Sequence, residues 1–277
     1  LLIECFNEIT SNQEMVNQMK RWLLKNKQTN RWETTKATAD ACYALLVTGS
    51  NWLESSPQII VTLGNTRVNS LEEKTQAGSG YFKTSWQGKD IQPSMGNIVV
   101  TVSNQQKTQR EQRDASPSWG AVYWQYFEDM DKITAAKTSL IVNKQLFIEK
   151  NTIRGPELTA ITEKNSLQIG DKVMVRLTLT TDRDLEYVHL KDMRAACFEP
   201  ANVLSSYKYK NGLGFYESTK DISTNFFFDR LPKGTYVLEY PVYIQQKGSF
   251  SSGIASLQCM YAPEFSSHSE GIKITVH

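Results

Sequence analysis

The sequence predicts a mainly β fold with an N-terminal helical hairpin, and three observations lead to that prediction. Apolar residues recur every three or four positions from Met15 to Leu24, which is the spacing of an amphipathic helix. Short β-rich runs separated by turn-forming residues begin after Pro57. Apolar and polar residues alternate strictly from Lys172 to Thr181, which is typical of a strand with one buried face. The chain has 277 residues, so two or three compact units are expected.

The helical hairpin is predicted at the start of the chain. Its first helix begins near Gln13, and a polar break follows at Lys27 to Asn30. The second helix is expected from Thr34 to Leu46, where small residues such as alanine permit close packing against a neighbouring helix. Gly49 is expected to end it, because glycine readily adopts the conformation that terminates helices.

The segment from Pro57 to about Asp131 is predicted to be a separate β domain. Glycine-rich turns separate its runs, as an antiparallel meander requires. The expected strands are Gln58–Leu63, Tyr81–Trp86, Asn97–Ser103 and Trp119–Phe127.

A third unit, from Lys132 to the end, is predicted to be an immunoglobulin-like β-sandwich. About seven alternating strands separated by turns fit such a fold. The expected strands are Ser139–Ile148, Lys172–Thr181, Glu186–Asp192, Thr224–Asp229, Gly234–Gln245, Gly248–Met260 and Gly271–Val276.

Charge and hydropathy exclude two classes of partner. The formal charge is only +2, which argues against nucleic-acid binding, and the mixed charges from Lys107 to Asp114 are typical of a solvated loop. No run of about 18 apolar residues exists, so no transmembrane segment is predicted. The apolar start, Leu1 to Phe6, lacks a signal-peptide pattern, and we expect that an export signal lies upstream.

The sequence predicts no catalytic site, no metal site and no cofactor. The three histidines are His189, His268 and His277, and no GxSxG elbow accompanies them, so structural or solvated roles are expected. Asp182 with Asp184, and Asp129 with Asp131, lack the glycine and the distal glutamate of a calcium loop, so turn positions are expected.

The four cysteines, Cys5, Cys42, Cys197 and Cys259, lack zinc-ligand spacing. Two bridges, Cys5 to Cys42 and Cys197 to Cys259, are arithmetically possible, but Cys42 lies in an Ala-rich helical run where a buried free thiol is an equal alternative. The disulfide state therefore stays open.

Aromatic residues concentrate in two runs. These runs could stack sugars or bases, but core positions in strands are the expected role. The runs are Trp119, Tyr123, Trp124, Tyr126 and Phe127, and then Phe226-Phe227-Phe228.

Three ordered segments together resemble the bacterial branch of the α2-macroglobulin family. The stretch from Asn30 to Ala41 resembles the last hairpin of the family's thioester domain, an α/α toroid. The β unit that follows it occupies the place of a CUB-type insert. Four short segments resemble the terminal macroglobulin-like domain of the family. They are Tyr187–Asp192, Phe198-Glu199-Pro200, Leu231–Tyr236 and Met260–Phe265.

The resemblance implies three domains: the end of a thioester-type toroid at 1–56, a CUB-like β domain at 57–131, and a terminal macroglobulin-like β-sandwich at 132–277. It also implies that Met260 and Tyr261 form an interdomain lock, in which a Met-Tyr loop covers the reactive bond of the thioester domain. The structural alternative is that both residues merely end a strand before Pro263. No Cys-Gly-Glu-Gln motif occurs here, so whether the parent protein carries a thioester stays open.

The resemblance implies a non-enzymatic role. The chain would be a scaffold and interface part of a protease-trapping inhibitor in the periplasm or cell envelope. Its partners would be target proteases and the upstream domains of the same chain. The alternative is a cell-surface carbohydrate-binding or adhesion module that uses exposed aromatic residues. A glycan-processing enzyme would need paired carboxylates in a cleft, and the sequence offers no convincing pair.

Overall fold

The structure of the chain is a computed structural model, which describes residues 1–10, 12–48, 57–77, 80–103, 118, 120–162, 166–210 and 212–277. Three predictions concern residues outside this set: the helix stop at Gly49, the solvated loop from Lys107 to Asp114, and Trp119. The described residues form two compact units, one of residues 1–27 and 32–121, the other of residues 28–31 and 122–277. The predicted domain boundaries at 56/57 and 131/132 stay predictions.

The first unit begins with three helices, one more than the predicted hairpin contains. They are α1 (Leu2–Ile9), α2 (Gln13–Thr29) and α3 (Thr35–Leu46). Ile3, Val16 and Ala44 contribute one buried residue from each helix to a shared small core. The side chain of Thr34 caps α3, because its Oγ1 accepts a hydrogen bond from the backbone N–H of Ala37 at 3.0 Å. The polar break begins later than predicted, since α2 continues to Thr29.

The rest of the first unit contains one three-stranded antiparallel sheet. Its strands are β1 (Gln58–Leu63), β2 (Thr66–Asn69) and β3 (Ile98–Ser103), in the order β2-β1-β3. Gly64 has φ of +58° in the tight turn between β1 and β2, a conformation that favours glycine. Short 3₁₀ turns at Gly88–Asp90 and Pro93–Gly96 precede β3.

The predictions of two strands before the sandwich, Tyr81–Trp86 and Trp119–Phe127, are wrong. The segment Tyr81–Trp86 is irregular, and the backbone carbonyl of Tyr81 accepts from the N–H of Gln76 within a local loop instead of joining a ladder. The described part of Trp119–Phe127 is also irregular and exposed. Their β-rich composition did not provide these segments with a neighbouring strand to pair with, and an isolated strand is not stable.

The second unit is the predicted β-sandwich. A six-stranded sheet has the order β15-β14-β7-β11-β10-β9, a five-stranded sheet has the order β5-β4-β6-β12-β8, and β13 pairs with β16. The strands are β4 (Leu140–Thr152), β5 (Gly155–Ala160), β6 (Lys172–Thr181), β7 (Leu185–Met193), β8 (Phe198–Pro200), β9 (Ser206–Lys210), β10 (Leu213–Thr219), β11 (Ser223–Leu231), β12 (Gly234–Ile244), β13 (Gly248–Ser251), β14 (Ala255–Cys259), β15 (Ser266–His268) and β16 (Lys273–Val276).

The sandwich core is formed by the alternating inward residues of the facing sheets. In β6 every second residue, Val173, Val175, Leu177 and Leu179, is fully buried. Full burial of one such aliphatic side chain stabilises the fold by about 1.5–3 kcal/mol. The mainly β fold with a helical start is therefore confirmed.

The single strand predicted from Gly248 to Met260 is two strands, β13 and β14. Gly253 interrupts it, because its φ of +67° is incompatible with extended backbone. The N–H of Gly253 donates to the Ser251 hydroxyl at 3.3 Å, which turns the chain locally. Further strands that were not predicted are β2, β5, β8, β9, β10 and β15.

The expectation that both aromatic runs lie in the core is correct for only part of them. Phe226 and Phe228 point into the sandwich, whereas Phe227 between them is 38% exposed, because successive side chains of a strand face opposite sides. The earlier run is wrong as a core prediction. Its described members, Tyr123, Trp124, Tyr126 and Phe127, are exposed.

Candidate functional site

Met260 and Tyr261 lie in an exposed turn between β14 and β15. Met260 is 56% exposed and Tyr261 is 78% exposed, whereas Cys259 before them and Ala262 after them are buried. The turn is closed by the N–H of Cys259, which donates to the carbonyl of Phe265 at 3.0 Å. Strand pairing therefore ends before Met260, and both side chains project from an anchored turn.

Tyr187 supports this turn from β7. The backbone N–H of Met260 donates to the carbonyl of Tyr187 at 2.9 Å. The rings of Tyr187 and Tyr261 meet edge to face, with centroids 5.2 Å apart and planes at 86°. Edge-to-face contacts of this kind contribute about 0.5–1.5 kcal/mol beyond the burial of area. This contact with Tyr187 therefore favours the observed orientation of the Tyr261 ring.

The backbone of Tyr187 has an unusual conformation. Its φ is +54°, and among the described residues it is the only non-glycine residue with a positive φ. The β7–β11 register passes from Val188 opposite Phe228 to Glu186 opposite Arg230, without a pair at Tyr187. Such a conformation costs about 1–3 kcal/mol and tends to occur where a side chain must be placed for function. Here it directs the Tyr187 carbonyl and ring toward the turn that carries Met260 and Tyr261.

Arg31 completes the cluster around Tyr187. It belongs to the short segment 28–31 that groups with the second unit. Its guanidinium Nη1 donates to the Tyr187 hydroxyl at 2.8 Å, and its backbone N–H donates to Glu186 Oε2 at 3.0 Å. We name Arg31, Glu186, Tyr187, Met260 and Tyr261 the Tyr187 cluster.

Met260 and Tyr261 were predicted from the sequence, but the residues that support them were not. Tyr187 begins one of the four segments that resemble the terminal macroglobulin-like domain, but a tyrosine gives no signal of a positive φ. The contact between Arg31 and Glu186 joins residues 155 positions apart, which no local pattern reveals.

Cys259 lies directly before this turn but has no nucleophilic role. Its side chain is buried, and its Sγ donates to the carbonyl of Glu186 at 3.3 Å. Burial raises the pKa of the Cys259 thiol above its usual value, and it raises the pKa of Cys197 to about 11. Because the thiolate is the reactive form, both thiols are unreactive near neutral pH. All four cysteines are free, so neither of the two possible bridges forms, and Cys42 is exposed and not buried as the alternative expected.

A second polar cluster lies inside the sandwich. The Lys144 ammonium is 2.7 Å from Asp192 Oδ1 and also donates to the carbonyls of Met193 and Ser252. The Tyr240 hydroxyl donates to Asp192 Oδ2. Burial raises the pKa of Asp192, and the Lys144 charge opposes that shift.

The second cluster cannot act on a substrate. The side chains of Lys144 and Asp192 are only 1% and 0% exposed, so neither reaches solvent. The Lys144 ammonium donates to two backbone carbonyls and lies beside the Asp192 carboxylate, so three acceptors surround it. The cluster therefore connects strands of the two sheets and has a structural role.

The histidines do not join a catalytic arrangement. His189 Nε2 is 3.0 Å from Asn225 Oδ1, and its ring stacks on Phe227 with centroids 4.6 Å apart. His268 Nδ1 is 3.1 Å from the carbonyl of Ser269. The described parts of the chain contain no group of three or more His, Cys, Asp or Glu residues that could hold a metal ion.

The carboxylates considered for calcium loops have local partners. Asp184 accepts from the backbone N–H of Lys233 at 2.8 Å and from Arg230 at 3.0 Å, and these contacts lower its pKa. Asp182 is paired with Arg183 in the same way. Within the described ranges, no helix is long and apolar enough to cross a membrane.

Comparisons with known proteins identify the second unit. Residues 140–264 match the family model described as the bacterial α2-macroglobulin MG10 domain. This range contains the sandwich strands from β4 to β14 and the turn that carries Met260 and Tyr261. No curated protein sequence matches the chain.

Solved structures of bacterial α2-macroglobulins are also similar to the chain. Escherichia coli α2-macroglobulin activated by porcine elastase is 14% identical, with a TM-score of 0.47, over 100% of this chain and 23% of that one. The native E. coli protein from domain MG7 to the C-terminus is 12% identical, with a TM-score of 0.42, over 94% of this chain and 41% of that one.

The Salmonella protein reacted with methylamine is 15% identical, with a TM-score of 0.41, over 89% of this chain and 15% of that one. This chain thus spans less than half the length of each of these structures. The family-model match covers the sandwich strands from β4 to β14. Residues 140–264 thus match the MG10 domain of bacterial α2-macroglobulins, the family that the sequence resemblance predicted.

Proposed function

We propose that this chain is a scaffold and interface part of a bacterial α2-macroglobulin-like protease-trapping inhibitor. In this proposal the exposed turn of Met260 and Tyr261 docks on the thioester-type domain of the same protein. The observation that carries the proposal is this turn, held by Tyr187 within a domain of the MG10 family. The wider partners would be the target proteases and the upstream domains, in the periplasm or cell envelope.

The chemistry of the turn suits a protective cover. A thioester survives only where water and amines are excluded, and Met260 and Tyr261 together present bulky, mostly apolar surface. Both side chains are exposed in this chain, so they are free to be buried by another domain. The contact with Tyr187 reduces the entropy that Tyr261 would lose on docking, which favours binding.

The proposal is tested by changing Met260 and Tyr261 together to alanine in the full-length protein. If the parent carries a thioester, loss of the cover should make its reaction with methylamine roughly tenfold faster. The rate is followed by the appearance of the free thiol. The control is Ile153→Ala, which removes a fully exposed aliphatic side chain from the turn between β4 and β5.

Equal methylamine rates in the double variant, the control and the unaltered protein would reject the cover. If the parent lacks the reactive cysteine, the same variants test the docking alone. Limited proteolysis of the full-length protein should then show easier cleavage between domains in the double variant only. Unchanged melting of the sandwich would confirm that the substitutions did not unfold it.

One observation favours the alternative of a carbohydrate-binding or adhesion module. The outer face of the six-stranded sheet exposes Tyr207, Tyr209 and Tyr216 on neighbouring strands. Aromatic faces of this kind stack on sugar rings, although one face of Phe227 in the same row is covered by the stacked ring of His189. Binding of a polysaccharide that Tyr216→Ala abolishes would support this alternative.

A further inference from the structure

The interior of the sandwich holds an amine and a carboxyl group side by side. Lys144 Nζ lies 2.7 Å from Asp192 Oδ1, and both side chains are fully buried. Among the described residues, Oδ1 nevertheless has no hydrogen-bond partner, so the two atoms are close without the geometry of a hydrogen bond. An ordinary buried ion pair satisfies its oxygens with directed hydrogen bonds. The contact therefore has a feature that a stabilising salt bridge alone does not explain.

The surroundings favour the neutral forms of both groups. Burial raises the pKa of Asp192, although the charges of Lys144 and Arg194 oppose that shift. Transfer of one proton from the Lys144 ammonium to Asp192 replaces two buried charges with two neutral groups, which an interior of low dielectric constant favours. The transfer leaves a free amine beside a carboxylic acid.

The hydrogen bonds of Lys144 orient this amine. Nζ donates to the carbonyl of Met193 at 2.7 Å and to the carbonyl of Ser252 at 3.0 Å. These two acceptors use both hydrogens of a neutral amine, so its lone pair is left for the third neighbour, which is the Asp192 carboxyl group. Cγ is bonded to the oxygen that Nζ approaches. Reacting atoms held about 3–3.5 Å apart in a fixed orientation react far faster than free groups in solution.

Tyr240 activates the carboxyl group from the other side. Its hydroxyl donates to Asp192 Oδ2. Burial and the neighbouring Asp192 raise the pKa of Tyr240 well above its usual value, so the hydroxyl keeps its proton and remains a donor. A donor in this place stabilises the negative charge that develops on the carboxyl oxygens when a nucleophile attacks Cγ. It is also positioned to protonate the oxygen that leaves.

We propose that Lys144 and Asp192 condense in the folded chain to form an isopeptide bond between Nζ and Cγ. The amine lone pair attacks Cγ, the Nζ–Cγ bond forms, and the bond from Cγ to Oδ2 breaks. Oδ2 leaves as water, with the carboxyl proton and the proton of the Tyr240 hydroxyl. Tyr240 regains a proton from Nζ. The step consumes no other reactant, and its products are one amide and one water molecule.

The bond links the two layers of the sandwich covalently. Lys144 is on β4 of the five-stranded sheet, and Asp192 is on β7 of the six-stranded sheet. A covalent link between distant residues restricts the unfolded chain, as a disulfide does. It also removes the buried charges of the pair, which are costly to keep in the interior. This modification does not depend on the docking proposed for Met260 and Tyr261.

Mass spectrometry of the 277-residue chain tests the proposal. The intact mass should be lower than the sequence mass by one water molecule. Trypsin, which cuts after lysine and arginine, should fail to cut after Lys144. It should release residues 138–150 joined to residues 192–194, and fragmentation of this product should locate the link.

Three substitutions separate the reaction from the ion pair. Lys144→Arg keeps a positive charge but has no amine that loses its proton, so the chain should have its full mass. The matched control is Lys172→Arg, at the exposed pair with Glu149, which should keep the link. Tyr240→Phe removes only the hydroxyl. In samples taken during cell-free synthesis, its linked form should appear roughly 100-fold more slowly.

The decisive measurement is made on the protease-resistant fraction of the unaltered chain, so that it does not depend on a variant folding. A folded chain of full sequence mass would overturn the proposal. So would loss of one water without the joined peptides, because a cyclic imide formed at a single aspartate has the same mass. Equal rates for Tyr240→Phe and the unaltered chain would overturn the part assigned to Tyr240.

Discussion

The Lys144 ammonium lies 2.7 Å from the Asp192 carboxylate in the interior of the sandwich, and the two side chains are 1% and 0% exposed. Lys144 is on β4 of the five-stranded sheet, and Asp192 is on β7 of the six-stranded sheet. The ion pair therefore joins the two layers at a place where an apolar contact would be usual. The hydroxyl of Tyr240, on β12 of the five-stranded sheet, donates a further hydrogen bond to Asp192.

Breaking this pair should destabilise the sandwich strongly. Lys144→Met removes the ammonium and leaves the Asp192 carboxylate buried without its counter-charge, which costs about 3–5 kcal/mol. Urea unfolding measures the loss. The matched control is Lys172→Met, which breaks a pair of the same 2.7 Å length with Glu149, but with the lysine 33% exposed.

The control should lose no more than about 1 kcal/mol, because solvent screens an exposed pair. Similar losses in the two variants would mean that burial of Lys144 has no energetic consequence. The sequence alone could not reveal this pair, since its members are 48 positions apart without a pattern that links them, and lysine within a strand usually faces solvent.

Thiol reactivity should divide the four cysteines into two pairs. Cys5 and Cys42 are exposed, whereas Cys197 and Cys259 are buried. Iodoacetamide at pH 8 should therefore modify the first pair in the folded chain, and should modify all four only after unfolding. Mass spectrometry of the alkylated peptides measures this. Rapid native modification of Cys197 would contradict its burial.

The same burial predicts how stability depends on alkaline pH. The folded pKa of Cys197 is raised to about 11 from 9.0, so the folded state keeps the proton longer than the unfolded state does. The contribution of Cys197 is therefore fully present below pH 9 and is lost as the pH rises toward 11. Cys197→Ala should make the free energy of unfolding less sensitive to pH in this range.

The parts of the fold that the sequence predicted are those where one residue pattern determined one environment. The strict alternation of β6 predicted its bounds correctly, because each apolar residue there faces the core. The hairpin of β9 and β10 was missed, since the inward positions of β9 include Lys208, which is paired with Glu217. A charge facing inward at a sheet edge does not follow the apolar alternation that marks a strand.

The candidate site was predicted only in its exposed part. Met260 and Tyr261 were identified through a resemblance, but their support by Tyr187 depends on a backbone angle and on pairing across strands. Neither is encoded in a local pattern. The role of the two residues as an interdomain lock stays a proposal.

Replacing Tyr187 tests whether its backbone is strained. At φ of +54°, glycine is tolerated without the steric cost that alanine carries. Tyr187→Gly should therefore be more stable than Tyr187→Ala by about 1 kcal/mol, in urea unfolding. At an ordinary strand position such as Val237 the order should reverse, because glycine there costs about 0.5–1 kcal/mol relative to alanine. The same order at both positions would show that Tyr187 is unstrained.

The terminal unit should fold without the rest of the chain, but its stability should depend on where the segment begins. The core of the sandwich is formed by strands from β4 onward, so residues 132–277 contain its apolar faces. The backbone of Met130, however, lies against Gly271 so closely that a Cβ at Gly271 would overlap the Met130 carbonyl. The Met130 side chain also reaches Gly253, with its Cε 3.3 Å from the position of a Cβ there.

A segment of residues 132–277 should therefore unfold cooperatively, and a segment of residues 128–277 should be more stable by about 1 kcal/mol, because it retains the packing of Met130. Urea unfolding of both segments measures the difference, and dispersed amide NMR signals establish that each is folded. Met130→Ala in the longer segment is the matched control. It removes only the Met130 side chain, so it should reproduce part of the stability loss of the shorter segment. Poorly dispersed signals without a cooperative transition in both segments would show that the sandwich needs the preceding residues to fold.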